Sequence, residues 1–194
     1  MSHHPRIGLY GGSFDPVHLG HLLVAHTALE EAALDKICFI PAALSPFKPG
    51  SPPAPGPERL RLLRLALAGN PSFEVDPQEI ERGGASYTIE TVRNYRRRFP
   101  SAELCLLVGA DHAPLLPEWS ESHELAASAQ ILVVPRPGLE SLPPPTPFAG
   151  SVLKGFPLAL SSSQIRDRIR RGLPFDHLLP PAVAEAIRNN HLYL

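Results

Sequence analysis

The stretch RIGLYGGSFDPVHLGH, which spans residues 6–21, decides the fold. Residues 6–10 form a short apolar run that is typical of a buried strand, and two glycines end it. Over residues 19–34 apolar side chains recur at the spacing of a helix. The stretch therefore predicts a strand, a glycine turn and a helix start. This arrangement offers backbone N–H groups and the positive end of a helix dipole to a bound anion.

The rest of the chain repeats this alternation. Further strands are predicted at residues 36–40, 73–75, 104–108, 129–134 and 158–160. Further helices are predicted at residues 58–68, 88–99, 162–171 and 182–189. Strands that are apolar throughout and alternate with helices indicate a parallel sheet that is covered on both faces.

We therefore expect a Rossmann-like α/β fold, a doubly wound parallel sheet with a small C-terminal helical portion at about residues 162–194. The length of 194 residues fits a single domain over residues 1–194. Ligands of such folds bind outside the carboxyl ends of the strands. A site is thus expected just after residues 10, 40, 108, 134 and 160, where the unusual residues of this sequence also lie.

Charge and composition narrow the function classes. A formal net charge of -1 argues against a protein that grips a long nucleic acid by bulk electrostatics, whereas a small phosphorylated ligand needs only a few cations. Neither a run of about 20 apolar residues nor a signal peptide is evident, so we expect no membrane partner and a cytoplasmic location. Cys38 and Cys105 lie in apolar runs and are predicted to be buried free thiols. The sequence leaves open whether the chain is a monomer or a homo-oligomer.

Two histidines stand at the start of the first helix. His18 and His21 are three residues apart, so they share one face of its first turn. Two imidazoles there can donate hydrogen bonds to a triphosphate and stabilise charge that develops on it. Gly20 is a poor helix former and is predicted to allow a ligand to approach closely. A His-x-x-His pair is also half of a metal site, but no third soft ligand stands at a suitable spacing.

Residues 12–21, GSFDPVHLGH, resemble the HxGH signature of the nucleotidyltransferase superfamily, in its form G-[ST]-F-D-P-x-H-x-G-H. The resemblance implies the same α/β fold. It also implies that His18 and His21 contact the phosphates of ATP. The ATP-binding residues it implies in this loop are Gly11, Gly12, Ser13, Phe14, His18, Gly20 and His21.

A second segment, SSSQIR at residues 161–166, follows the last predicted strand and opens a helix. Ser161 and Gln164 fit a capping box, which by itself explains a stable helix start. It does not explain Arg166, whose charge opposes the helix dipole. The segment resembles the superfamily's second signature, Ile-Ser-Ser-Thr-x-Ile-Arg. By that resemblance Ser161, Ser162 and Ser163 bind the β- and γ-phosphates of ATP, and Arg166 supports them as a catalytic residue beside the two histidines.

Motifs in the middle of the chain indicate which molecule would accept the group that is transferred from ATP. Residues 86–91, SYTIET, resemble the Ser-Tyr-Thr-x-Asp-Thr segment of nicotinate mononucleotide adenylyltransferases, and residues 109–111 resemble their Gly-x-Asp. These matches imply ATP contacts from Gly109 and Asp111, whose carboxylate can accept from a ribose hydroxyl or an adenine amine. Residues 41–48 resemble the family's Pro-x-x-x-x-Pro-His-Lys loop, and Trp119 and Arg136 resemble its later Trp and Arg. Together with residues 86–91 they imply mononucleotide contacts from Lys48, Thr88, Trp119 and Arg136.

Three of these assignments have alternatives. Thr88 could simply cap its helix. Trp119, the only tryptophan, could belong to the core, although its neighbours suggest a loop. Phe47 replaces the histidine that the family carries just before Lys48, which puts any contact of that histidine in doubt.

The resemblance implies an enzyme of NAD biosynthesis that transfers AMP from ATP to nicotinate mononucleotide and releases pyrophosphate. It implies ATP and the mononucleotide as partners, and Mg²⁺ carried on the ATP phosphates rather than in a protein metal site. Two alternatives stay open at this point. One is a related transferase that uses nicotinamide mononucleotide or phosphopantetheine phosphate. The other is a non-catalytic nucleotide-binding module.

Overall fold

The computed structural model describes residues 4–45 and 53–194. Within them the strands are β1 (Arg6–Gly12), β2 (Lys36–Pro41), β3 (Phe73–Val75), β4 (Glu103–Gly109), β5 (Gln130–Val134) and β6 (Gly150–Val152). The helices are α1 (Leu19–Glu31), α2 (Gly56–Leu67), α3 (Gln78–Arg82), α4 (Thr88–Arg98), α5 (Ser122–Ser128), α6 (Ser162–Arg170) and α7 (Pro181–Asn189). Short 3₁₀ helices occupy Ala113–Glu118 and Asp176–Leu178.

The six strands form one parallel sheet in the order β3-β2-β1-β4-β5-β6. The chain first winds outward from β1 through β2 to β3. It then crosses to β4 and winds outward in the other direction. The predicted doubly wound fold is therefore confirmed. The strand order reverses between β1 and β4, so the crevice that binds ligands in such sheets opens at the carboxyl ends of these two strands.

Helices cover both faces of the sheet because its strands are apolar on both sides. In β4, Cys105 and Leu107 join the core cluster that α1, α2, α6 and α7 complete. Leu104, Leu106 and Val108 point to the opposite face and pack with α4 and α5. This alternation explains why the strand lacks the polar residues of a half-exposed strand. Helices α6 and α7 account for the predicted C-terminal helical portion.

The prediction of a strand at residues 158–160 is wrong. The sixth strand is Gly150–Val152, which pairs with β5 through Ile131, Leu132 and Val133. It is a short edge strand whose sequence, GSV, carries almost no apolar signal. Leu158 and Leu160 are apolar for a different reason, since both line a pocket at the carboxyl edge of the sheet.

The two cysteines are free and buried, as predicted. Burial raises the pKa of the Cys38 thiol to about 11. In the part of the chain that the structure describes, no helix is long and apolar enough to span a membrane.

Candidate active site

The loop between β1 and α1 is supported from beneath by an aromatic side chain. Phe14 is 1% exposed and has a left-handed φ of 46°. Its ring packs edge-on against Tyr10 and His21, with centroid separations of 5.3 and 5.0 Å. Any contact of Phe14 with ATP would therefore have to come from its backbone. A Cβ on Gly11 would meet nothing within 4 Å, so the space above this residue is open.

The two histidines lie together on the first turn of α1. Their rings stack with centroids 3.7 Å apart. The backbone N–H of His18 donates to Nδ1 of His21 at 3.1 Å, so a neutral His21 ring carries its proton on Nε2. A Cβ on Gly20 would lie 3.0 Å from His18 Nδ1. Gly20 thus leaves room for the His18 ring, and the predicted approach of a ligand to Gly20 stays a prediction.

His18 is uncharged near neutral pH. Burial, helped by the positive charge of Arg136, lowers its pKa from 6.5 to about 4. Its Nδ1 atom is buried and has no hydrogen-bond partner within the described residues. A neutral imidazole offers a phosphate a hydrogen bond rather than a positive charge. The positive charge that holds a polyanion here must therefore come from arginines and from the starts of α1 and α6.

The second predicted segment begins α6, and its serines have different roles. Ser161 is the N-cap, and the predicted capping box with Gln164 is confirmed. The hydroxyl of Ser162 donates to the carbonyl of Pro16 at 2.9 Å, which ties α6 to the first loop. The Ser163 hydroxyl accepts from Arg166 at 3.4 Å. The first-turn N–H groups of α6 remain suited to an anion, in keeping with the predicted phosphate contacts.

Arg166 joins the two predicted segments directly. Its guanidinium donates to the carbonyl of Asp15 at 2.7 Å and lies 3.6 Å from the Asp15 carboxylate. The chain separates these residues by 151 positions. The fold therefore brings the histidine pair, the start of α6 and a partly exposed arginine to one edge of the sheet, as the two motifs predict.

Gly109, Asp111 and Arg136 come together at the ends of β4 and β5. Nε of Arg136 donates to the Asp111 carboxylate at 3.3 Å. A Cβ on Gly109 would collide with that carboxylate and lie 3.2 Å from Arg136 Nε. Only glycine fits at position 109 without displacing this pair. Nearly half of each charged side chain is exposed. Either one can therefore release the other and contact a ligand instead.

A pocket of about 480 Å³, including its open mouth, extends from the histidines along α1. Tyr10, Thr27, Phe156 and Leu158 line it, and none of them was predicted as a site residue. Val24 could have been found from the helical spacing, because it lies three residues after His21, and Thr27 lies three residues after Val24. Phe156 and Leu158 could not have been found in this way, because they lie outside any helix or strand and are brought to the pocket by the tertiary structure.

The predicted acceptor segment lies beside the end of β2. Ser86 is buried, its N–H donates to the carbonyl of Leu44 at 2.9 Å, and its hydroxyl accepts from Ala43 at 2.9 Å. Thr88 is the first residue of α4 and not its N-cap, so the capping role considered for it is wrong. Thr91 donates to buried Glu79 at 2.6 Å, which is a structural contact.

Trp119 ends the 3₁₀ helix Ala113–Glu118 and is half-buried. Its ring packs against the core cluster beneath α4 and α5. The loop and core interpretations of this residue are therefore both partly correct. Lys48 and Phe47 lie outside the described residues, so the predicted contact of Lys48 stays a prediction.

Sequence reasoning missed Arg59, which is 1% exposed in α2. Its guanidinium donates to the carbonyls of Ser13 at 2.8 Å and Ala54 at 2.9 Å. The Asp15 carboxylate accepts from the N–H of Ala54 at 3.2 Å. Arg59 thus braces the first loop against the chain that leads into α2. No local pattern marks it, because an arginine in an amphipathic helix is ordinarily exposed.

Within residues 4–45 and 53–194 no group of three or more His, Cys, Asp or Glu side chains could hold a metal ion. Asp15 and Asp111, the carboxylates nearest the site, are engaged by Arg166 and Arg136. The expectation that ATP carries Mg²⁺ stays a prediction.

Fold and site together define a nucleotidyltransferase. The chain belongs to the cytidylyltransferase-like family, whose model matches residues 9–168. Within that family it resembles a nicotinate-nucleotide adenylyltransferase of Bacillus subtilis, with 38% identity over 97% of this chain and 98% of the relative. A probable nicotinate-nucleotide adenylyltransferase of Gemmatimonas aurantiaca is 42% identical over 97% of this chain and 92% of the relative.

Solved structures share the fold. Nicotinic acid mononucleotide adenylyltransferase of Plasmodium falciparum, complexed with NaAD, superposes with a TM-score of 0.75 at 16% identity over 98% of both chains. The same enzyme complexed with APC gives a TM-score of 0.76 at 14% identity, again over 98% of both chains. The family resemblance read from the sequence is confirmed.

Proposed function

We propose that this chain transfers the adenylyl group of ATP to the phosphate of nicotinate mononucleotide and releases pyrophosphate, a step of NAD biosynthesis. The observation that carries the proposal is the contact of Arg166 with Asp15, which unites both phosphate motifs beside the stacked histidines. The names of the relatives from Bacillus subtilis and Gemmatimonas aurantiaca support the choice of acceptor.

The proposed reaction is a direct displacement. A phosphate oxygen of the mononucleotide attacks the α-phosphorus of ATP, the bond from that phosphorus to the bridging oxygen breaks, and pyrophosphate leaves. No covalent enzyme intermediate is needed, so rate comes from positioning the two substrates and from stabilising charge on the leaving group.

The site residues have different proposed roles, which depend on their charge. His18, which is uncharged near neutral pH, donates a hydrogen bond without a positive charge to the phosphates, and His21 donates a second hydrogen bond. Arg166 supplies positive charge, with the starts of α1 and α6 adding their dipoles. Asp111 is placed to accept from the ribose, and the adenine enters the pocket along α1. Mg²⁺ arrives on the ATP phosphates as part of the substrate, with water completing its ligands.

The mononucleotide binds at the carboxyl edge of the sheet beside the ATP site in this proposal. Thr88, Trp119, Arg136 and Lys48 are its contacts, and half-buried Trp119 offers a ring to stack on the pyridine. Two buried free thiols support a reducing compartment, and we place the reaction in the cytoplasm.

The test measures pyrophosphate release from ATP and Mg²⁺ with each acceptor in turn. We expect release only with a pyridine mononucleotide, with kcat/KM at least about tenfold higher for the acid than for the amide, or about 1.4 kcal/mol. Trp119→Ala should weaken both acceptors, because both rings stack alike. Equal release with phosphopantetheine phosphate, or a preference for the amide, would contradict the acceptor assignment. ATP binding without release under any acceptor would indicate a non-catalytic module.

A further inference from the structure

The pocket along α1 contains a buried hydroxyl that the fold leaves unsatisfied. Thr27 is 3% exposed, and its Oγ1 has no hydrogen-bond partner among the described residues. A buried polar atom without a partner costs stability, so native proteins contain few of them. Such an atom at the wall of a pocket indicates that a ligand supplies the missing partner.

Thr27 lies at a fixed distance from the phosphate-binding histidines. Val24 lies three residues from His21 and three from Thr27 on α1, and all three residues line the pocket. Six residues of helix separate Thr27 from His21, which corresponds to about 9 Å along the axis. A nucleotide whose phosphates lie at the histidines would therefore direct the far edge of its base toward Thr27.

The surroundings of Thr27 suit a flat heterocycle. Val24, Val134, Leu153 and Phe156 give the pocket apolar walls. Such walls bind the faces of a ring but cannot distinguish one base from another. The Thr27 hydroxyl is therefore the side chain placed to recognise a polar group at the end of the ring.

The wall opposite Thr27 is held in position by a carboxylate. Glu31 accepts from the N–H groups of Lys154 at 2.7 Å and Gly155 at 3.0 Å. Gly155 has a φ of 56°, and a Cβ there would lie 3.5 Å from Cγ2 of Thr27. These two hydrogen bonds hold the Gly155 segment against Thr27 at the far end of the pocket, which both residues line.

We propose that Thr27 is a specificity-determining residue whose hydroxyl accepts a hydrogen bond from the exocyclic amine of the nucleotide's adenine base. The amine is the group of adenine that lies farthest from the ribose, and a hydroxyl oxygen can accept from it. The inference rests on the proposed function, because it takes ATP as the nucleotide.

The test compares Thr27→Val, which is isosteric but lacks the hydroxyl, with Thr27→Ser, which retains it. We expect Thr27→Val to raise KM for ATP, and the Kd for ATP measured by calorimetry without acceptor, by about tenfold with kcat within about twofold. Thr27→Ser should stay close to wild type. The Tm of unliganded Thr27→Val should be equal to or above that of wild type, since the variant removes an unsatisfied polar atom.

Purine riboside 5′-triphosphate, which lacks the amine, identifies the group that Thr27 contacts. Wild type and Thr27→Val should bind this analogue equally. An unchanged Kd for ATP in Thr27→Val overturns the inference, as does a penalty of the same size with the analogue. If the Kd values follow the expectation but no acceptor supports pyrophosphate release, the inference stands and the proposed function fails.

Discussion

The low pKa of His18 predicts an acid sensitivity that one substitution should remove. His18 is 5% exposed, and burial together with Arg136 lowers its pKa from 6.5 to about 4. Above pH 6.5 the ring is neutral in both the folded and the unfolded chain, so it has no effect on the pH dependence. As pH falls below 6.5 His18 binds a proton in the unfolded chain but stays neutral in the folded chain. The folded state therefore loses stability.

The magnitude follows from the two pKa values. At about pH 4.5 the unfolded histidine is almost fully protonated and the folded one is mostly neutral, which costs the folded state about 2–3 kcal/mol. The loss saturates once pH has fallen below the folded pKa of about 4. For a domain whose total stability is about 5–15 kcal/mol, this is a large fraction.

Urea unfolding of wild type and His18→Gln over about pH 4.5 to 7.5 measures this contribution. Carboxylates titrate in both proteins, so their contribution cancels in the comparison. Wild type should lose about 2–3 kcal/mol more than the variant across this range. His26→Gln is the matched control, since His26 is an exposed histidine of the same helix that does not line the pocket, and it should follow wild type. Parallel stability curves for wild type and His18→Gln would refute the assignment of a neutral, buried His18.

Two further predictions concern the first loop. His21→Ala should lower kcat by about a hundredfold or more with Tm nearly unchanged, the effect expected when one hydrogen-bond donor to the transition state is lost. His26→Ala on the same helix should retain kcat, and a His21→Ala enzyme with wild-type kcat and KM would assign this imidazole a structural role. Gly11→Ala should leave Tm unchanged, because a Cβ there meets nothing within 4 Å, yet raise KM for ATP about tenfold by occupying the space of the phosphates. A wild-type KM would place the triphosphate away from Gly11.

The fold class and the location of both phosphate motifs could be predicted from the sequence because their signals are local. Four of the five strands predicted after the first are present, and three of them, β2, β4 and β5, are apolar runs that are mostly buried on both faces. Alternation of strands with helices requires parallel crossovers, so the parallel sheet could be predicted, whereas the strand order came from the structure. The motif after β1 and the capping box at Ser161 depend only on neighbouring residues, and both lie where they were predicted.

The tertiary structure alone decided which groups meet. Strand β6 carries almost no apolar signal, and it forms through parallel pairing with the edge of β5. The contact of Arg166 with Asp15, the burial of Arg59 and the enclosure of Thr27 by the segment at Gly155 all join residues that are distant in the chain. The pKa of His18 likewise depends on burial and on Arg136 from another strand end. Periodicity in the sequence indicates on which side of a helix or strand a residue lies. Its burial, its pKa and its hydrogen-bond partners depend on the elements that pack against that side.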